Sequence, residues 1–237
     1  MKKSIKYIIL LFLYIGINDT FGQRHKKPQN LLQYDSKKLH FGFTLGMNEL
    51  NFNVKKNSST ITNDTLLTLL SNSQKGFNLG IVSNLRIGKY TDLRFIPALV
   101  FGERHLYYGF IDSNQVNQQK IKRIESTLID FPIYIKYKSA RYNNFRTYVL
   151  AGVKYSLDIA SQDKINDEGQ EIVKLKRNDL MGEIGFGIDY YLEYFKFSPQ
   201  IKLSYGILNL LSQDETVYTR SINSLSTNGW MISFTFE

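Results

Sequence analysis

Catalysis near neutral pH needs a nucleophile beside a base, a pair of tuned acids, or a metal held by clustered donors. The chain is poor in all three. It has no cysteine, which removes disulfides, thiolate nucleophiles and thiolate metal sites. Its histidines are His25, His40 and His105, and their spacing matches no zinc pattern. A Ser/His hydrolase would have to use His40 or His105, and no Gly-x-Ser-x-Gly elbow is present. Gly185 and Gly187 form a Gly-x-Gly inside an alternating run and do not open a helix, so they read as room for neighbouring side chains instead of a dinucleotide site. The residues therefore point to a noncatalytic protein with no cofactor, no metal and no small-molecule substrate.

A different set of polar residues is more informative. Arg86, Arg94, Lys136, Lys154, Lys196 and Lys202, with Asp130, Glu183, Asp189 and Glu237, recur on one side of strongly alternating segments. Ionised groups on a shared inner face must pair, because an unpaired buried charge is expensive. The expected chemistry is a salt-bridged interior; a proton or ion path through it is the sharper alternative.

The segments that position these residues have strand period, with large apolar side chains at every second position. Phe41, Phe43, Leu45 and Met47 oppose His40, Gly42, Thr44, Gly46 and Asn48, and Trp230, Ile232, Phe234 and Phe236 oppose Met231, Ser233, Thr235 and Glu237. Eight such strands are expected near residues 39–54, 75–88, 92–107, 121–138, 145–158, 175–192, 194–208 and 227–237. Long connections at about 55–74, 106–120, 159–174 and 209–226 alternate with short ones near 89–91, 139–144 and 193. Within the first long connection, residues 65–70 read as one or two helical turns.

A soluble sandwich would turn the apolar faces inward. Membrane placement is favoured by three features: strands long enough to cross a bilayer, aromatics at strand ends, and alternation of long and short connections. The expected fold is all-β, an eight-stranded antiparallel up-and-down transmembrane β-barrel with long outer loops and short periplasmic turns. Tyr90, Tyr137, Tyr142, Phe145, Tyr190, Tyr194 and Phe195 would form the aromatic girdle at the short turns. Eight strands leave an interior just filled by side chains, so a plugged core is expected in place of a diffusion pore.

Residues 1–22 read as a secretory signal peptide, with Lys2, Lys3 and Lys6 before an apolar run and Thr20-Phe21-Gly22 at the cleavage point. An uncleaved anchor is the alternative. Residues 23–38 read as a periplasmic N-terminal arm, with a disordered leader as the alternative, and 39–237 as the barrel. The formal charge of +9 would suit nucleic acid in a cytoplasmic protein. Export argues against nucleic acid and favours outer-membrane lipids and acidic protein partners. The arm and the 139–144 turn are the expected partner contacts: Lys26, Lys27, Tyr34, Arg141, Tyr142, Asn143 and Asn144, with Arg141 and Tyr142 of types enriched at binding hot spots.

The stretch Lys27-Pro28-Gln29-Asn30-Leu31, with Tyr34-Asp35 and His40-Phe41-Gly42-Phe43, resembles the start of the PorT (SprT) family. Phe131-Pro132-Ile133, Lys136-Tyr137-Lys138-Ser139, Arg141-Tyr142-Asn143-Asn144 and Glu193-Tyr194-Phe195-Lys196-Phe197-Ser198-Pro199 extend the likeness over nearly all of the processed chain. The resemblance implies a bacterial outer-membrane component of type IX secretion, the pathway that supports gliding in some bacteria. It further implies no catalytic residues; the alternation of long and short connections places both termini in the periplasm, where the arm and the 139–144 turn are expected to contact other secretion-system proteins. A small porin and an outer-membrane hydrolase are the competing readings.

Overall fold

The computed structural model describes residues 28–56, 66–111, 117–160, 175–212 and 222–237. These form one antiparallel sheet of nine strands: β1 (Leu39–Lys56), β2 (Leu66–Arg86), β3 (Thr91–Phe95), β4 (Ala98–Ile111), β5 (Asn117–Lys138), β6 (Phe145–Asp158), β7 (Asn178–Tyr191), β8 (Lys196–Gly206) and β9 (Ile222–Phe236). β3 and β4 are one stave broken at Ile96-Pro97, where Pro97 has no amide to donate to the ladder. Both halves pair with β2 on one side and β5 on the other. The eight staves close into a ring because β1 pairs with β2 on one edge and with β9 on the other.

Alternation decides the two faces. Phe41 (64 % exposed), Ile81 (64 %), Ile135 (59 %) and Ile184 (61 %) point outward, and their neighbours His40, Val82, Lys136 and Glu183 are buried inside. A soluble sandwich would have buried the first group. On β1 the outward apolar run extends from Leu39 to Met47 and gives way to Glu49, Asn51 and Asn53. Eight residue steps at ~3.3 Å, tilted by ~40°, give an apolar band of roughly 20 Å, near that of a bilayer-spanning barrel.

The short connections join β2 to β3, β5 to β6 and β7 to β8, and the first residue of β1 and the last of β9 lie at this same end. In the β5–β6 connection Tyr142 and Phe145 exchange two backbone hydrogen bonds across Asn143-Asn144, and Asn143 takes the left-handed conformation (φ 51°) that Asn tolerates. Tyr90, Tyr137, Tyr142, Phe145, Tyr190, Tyr194 and Phe195 are all exposed around this end.

At the loop end five strands run on beyond the expected boundaries, while β7 and β8 stop short of theirs, at Asn178 and Gly206. β2 begins at Leu66, so residues 66–70 are strand and not helical turns; they pair with β4 from Leu66↔Phe110 to Leu70↔Tyr107. β1, β4, β5 and β9 are likewise extended, to Lys56, to Ile111, from Asn117 and from Ile222.

Candidate functional site

The interior is a column of side chains in three zones. At the turn end, residues 28–38 fold back across the mouth as a strap, with a single 3-10 turn at Tyr34–Ser36. Asn30 donates its amide to the Asn144 side chain (2.9 Å) and its Nδ2 to the Tyr191 carbonyl (3.0 Å). Arg141 donates to the Asn30 carbonyl, to Asn144 Oδ1 (3.0 Å) and to the Asn143 carbonyl (2.8 Å), and its guanidinium lies 3.8 Å from the Tyr191 ring centre. Asp35 receives both terminal nitrogens of Arg146 at 3.2 and 3.0 Å. Although burial raises the Asp35 carboxyl, the Arg146 hydrogen bonds and charge outweigh it and hold that group below the ordinary aspartate value. Tyr34 stacks on His40 at 3.9 Å and donates its hydroxyl to Glu237 (2.8 Å).

Within the membrane band the charges pair. Glu237 is shared by Arg94 and Lys196. Lys136 reaches both oxygens of Asp189 at 2.8 Å, lies over the Tyr148 ring at 3.6 Å, and leaves Asp189 to accept from Ser198 (2.6 Å). Lys154 bridges Asp130 (3.2 Å) and Glu183 (2.7 Å); Ser156 supports Asp130, and Ser204 and Tyr134 support Glu183. Lys202 lies 5.3 Å from the Tyr134 ring centre. Gly187 faces the Tyr148 ring so closely that a Cβ would collide with it, and Gly185 would place one 2.9 Å from Lys202 Cγ. Their absent side chains leave room for the aromatic and cationic ones.

Above this zone the filling turns apolar. Arg104 donates to Ser126 (2.5 Å) and lies 4.1 Å from the Phe52 ring centre. Phe52 begins a cluster completed by Leu69, Leu106, Tyr108, Leu175, Leu210, Leu211, Ile222 and Leu225. The strand extensions and the two ends of the described loops supply it.

The structure brings together nine of the ten interior charges expected from alternation. Arg86 is the exception: it is half-buried at the lip of the β2–β3 turn, its Nε on the Gly88 carbonyl at 3.2 Å. Other interior charges were not anticipated: the pair Asp92–Lys138 (2.6 Å), Arg104, Arg146, Asp158 and Asp179. Parity would have found several of them, since Asp92 and Arg104 share the phase of Arg94, and Lys138 that of Lys136. The Asp35–Arg146 contact carries no local signal.

Among the expected contact residues, Arg141 and Asn144 bind strap to turn, Tyr34 binds the strap to Glu237 and His40 at the mouth, Asn143 forms the bend, and Tyr142 is exposed against Phe145. Lys26 and Lys27, like His25 and residues 1–22, lie outside the described residues. His40 and His105 sit at opposite ends of the barrel, the latter 2.6 Å from Glu103.

An up-and-down ring with an apolar outer band and a paired ionic interior defines a transmembrane β-barrel of the bacterial outer membrane. Residues 21–212 match the family of outer membrane protein beta-barrel domains, and the chain belongs to that family. No curated protein matches it. Similar solved structures include Neisserial surface protein A (11 % identity, TM-score 0.44, covering 84 % of this chain and 97 % of that one). OprG from Pseudomonas aeruginosa is also similar (15 %, 0.43, 82 % and 93 %), as is the attachment invasion locus protein Ail of Yersinia pestis (11 %, 0.37, 84 % and 99 %).

Proposed function

We propose that this protein is a noncatalytic assembly or accessory factor of type IX secretion, with both termini and the strapped end in the periplasm. The PorT-like segments of the sequence motivate the pathway. The observation that carries the mode of action is the filling of the lumen: strap, ion pairs and apolar cluster occupy it in succession. A lumen so occupied suits a rigid membrane-held platform, and its work is then done on its surfaces. The periplasmic surface is built by the strap, the 139–144 turn and the 192–195 turn. Its exposed side chains, Tyr142, Tyr194 (88 % exposed) and Leu32 (73 %), are the ones offered to other secretion-system proteins.

The test is deletion of the gene followed by a survey of which exported proteins fail to reach the cell surface, with complementation by wild type and by Tyr142→Ala/Tyr194→Ala. The expected outcome is loss of type IX cargo that wild type restores and the double variant restores poorly. Normal export in the deletion strain would overturn the reading. Planar-bilayer recording addresses the porin reading: the protein should be silent, and should stay silent when residues 28–36 are deleted, because the apolar cluster still closes the loop end.

A further inference from the structure

The β1–β2 ladder stops about two thirds of the way along β1. It runs from Leu39↔Leu85 to Leu50↔Gln74 and has no further pairs among the described residues. Neither strand ends there. β1 stays paired with β9 through Lys56↔Ile222, and β2 stays paired with β4 through Leu66↔Phe110. Among the described residues the barrel wall therefore forks, with 51–56 of β1 paired only to β9 and 66–73 of β2 paired only to β4. A bulge in β2 between Ser73 and Phe77 marks the root of the fork, as expected where a strand bends away from its neighbour.

Side chains bridge the root in place of the ladder. Ser71 donates to Asn51 Oδ1 at 2.6 Å, Ser73 donates to Glu49, and the Phe52 amide is met by Asn51 Oδ1 (2.9 Å) and Ser71 Oγ (3.3 Å). Since the Phe52 amide faces β2, strand alternation turns the main-chain groups of Val54 and Lys56 the same way, while those of Asn53 and Lys55 serve β9. The fork lies beyond Met47, outside the apolar band, where unpaired edges are tolerated.

Edges of this kind are templates for an added strand. We propose that the fork is a docking site for an extended segment of another protein at the loop end, paired through its main chain to β1 at Val54 and Lys56 and at Phe52, where it displaces the Ser71 hydroxyl from the amide. Phe52 and Leu69 line the inner side of the fork and Lys55 is exposed on its outer side, whereas Lys75 lies below the fork in the ladder, opposite Glu49. The matching segment alternates apolar residues facing inward with acidic residues facing outward. The regular two-residue repeat of donors and acceptors selects a polypeptide backbone, and the position above the apolar band sets lipid chains aside.

The probe is a fluorescent nine-residue peptide of alternating Val and Asp, titrated against the full protein in phosphatidylcholine vesicles and read by polarisation. Saturable binding is expected. It should weaken by at least about tenfold in Val54→Pro, which removes the amide facing the fork and leaves the β9 ladder intact. The Asn51→Cys/Ser71→Cys pair, in a chain without other cysteines, should abolish binding when oxidised and restore it on reduction, whether or not the proline variant folds. Absence of binding to wild type, equal binding by the oxidised pair, or equal binding of the same peptide N-methylated at alternate residues would overturn the proposal. So would a dimer of this chain that forms through the fork and excludes the peptide.

Discussion

Lys136 and Asp189 make one ion pair, with side chains 0 % and 1 % exposed, and the two halves of that pair should not be equally costly to remove. The reason is their surroundings. Arg94, Lys136 and Lys196 share this level of the barrel with the carboxylates Asp189 and Glu237, while the neighbouring Asp92 is matched by Lys138. Replacing Lys136 with Met leaves two cations on two anions and relieves the desolvation of one ammonium. The expected loss is about 1–2 kcal/mol, mainly the hydrogen bonds to Asp189 and the contact with Tyr148. Replacing Asp189 with Asn leaves three buried cations on one carboxylate, and the loss should reach about 3–5 kcal/mol, as for a buried charge stripped of its partner. The double variant Lys136→Met/Asp189→Asn removes one of the stranded cations and should be more stable than Asp189→Asn alone. Urea unfolding from vesicles, followed by the fluorescence of the single Trp230, measures all three. Equal losses for the two single variants, or a double variant less stable than Asp189→Asn, would refute the charge-balance reasoning.

The outward face gives a second prediction. Ile133→Arg, in the middle of the apolar band, should cost about 2–4 kcal/mol in vesicle unfolding, whereas the same exposed position on a soluble sheet would tolerate it. The strap gives a third. Asp35 titrates below its ordinary value when docked, so its contribution is fully present above about pH 4 and is lost as the pH falls through the depressed value. Hydrogen exchange at the Asn30 and Tyr34 amides, corrected for intrinsic rate, should show release of the strap under acid, and Asp35→Asn should flatten that step. Gly187→Ala should lose about 1–3 kcal/mol by driving a methyl group into the Tyr148 ring, read by the same unfolding curves.

Legibility in the sequence followed the period of two wherever one face met lipid and the other a charged interior. The bounds expected for the fifth strand match β6, Phe145–Asp158, and the start of β1 is likewise as expected. The phase that put Arg94, Lys136 and Asp189 on one side also holds through the Ile96-Pro97 break. Above the apolar band the contrast disappears, because both sides of the wall carry mixed residues. Leu69 is buried and Leu70 exposed, yet Thr-Leu-Leu-Thr-Leu-Leu shows no alternation to say so. The bulge between Ser73 and Phe77 also shifts the phase, so the pattern of residues 77–87 misplaces everything before it.

The strap was illegible for another reason. Tyr34 meets Glu237 and Asp35 meets Arg146 across more than a hundred residues, contacts made only after the ring has closed. Ring closure and strap docking are thereby coupled. Glu237 is held by Arg94 and Lys196 and also accepts from Tyr34, so the strap contact shares a carboxylate with the ionic interior. A variant with an incomplete ionic interior should consequently show a loose strap as well, and Asp189→Asn should speed exchange at the Tyr34 amide at neutral pH, where Asp35 itself is fully ionised. Unchanged protection at Tyr34 in that variant would mean that the strap docks on the turns alone, through Asn30, Arg141 and Asn144, independently of the charges beneath it.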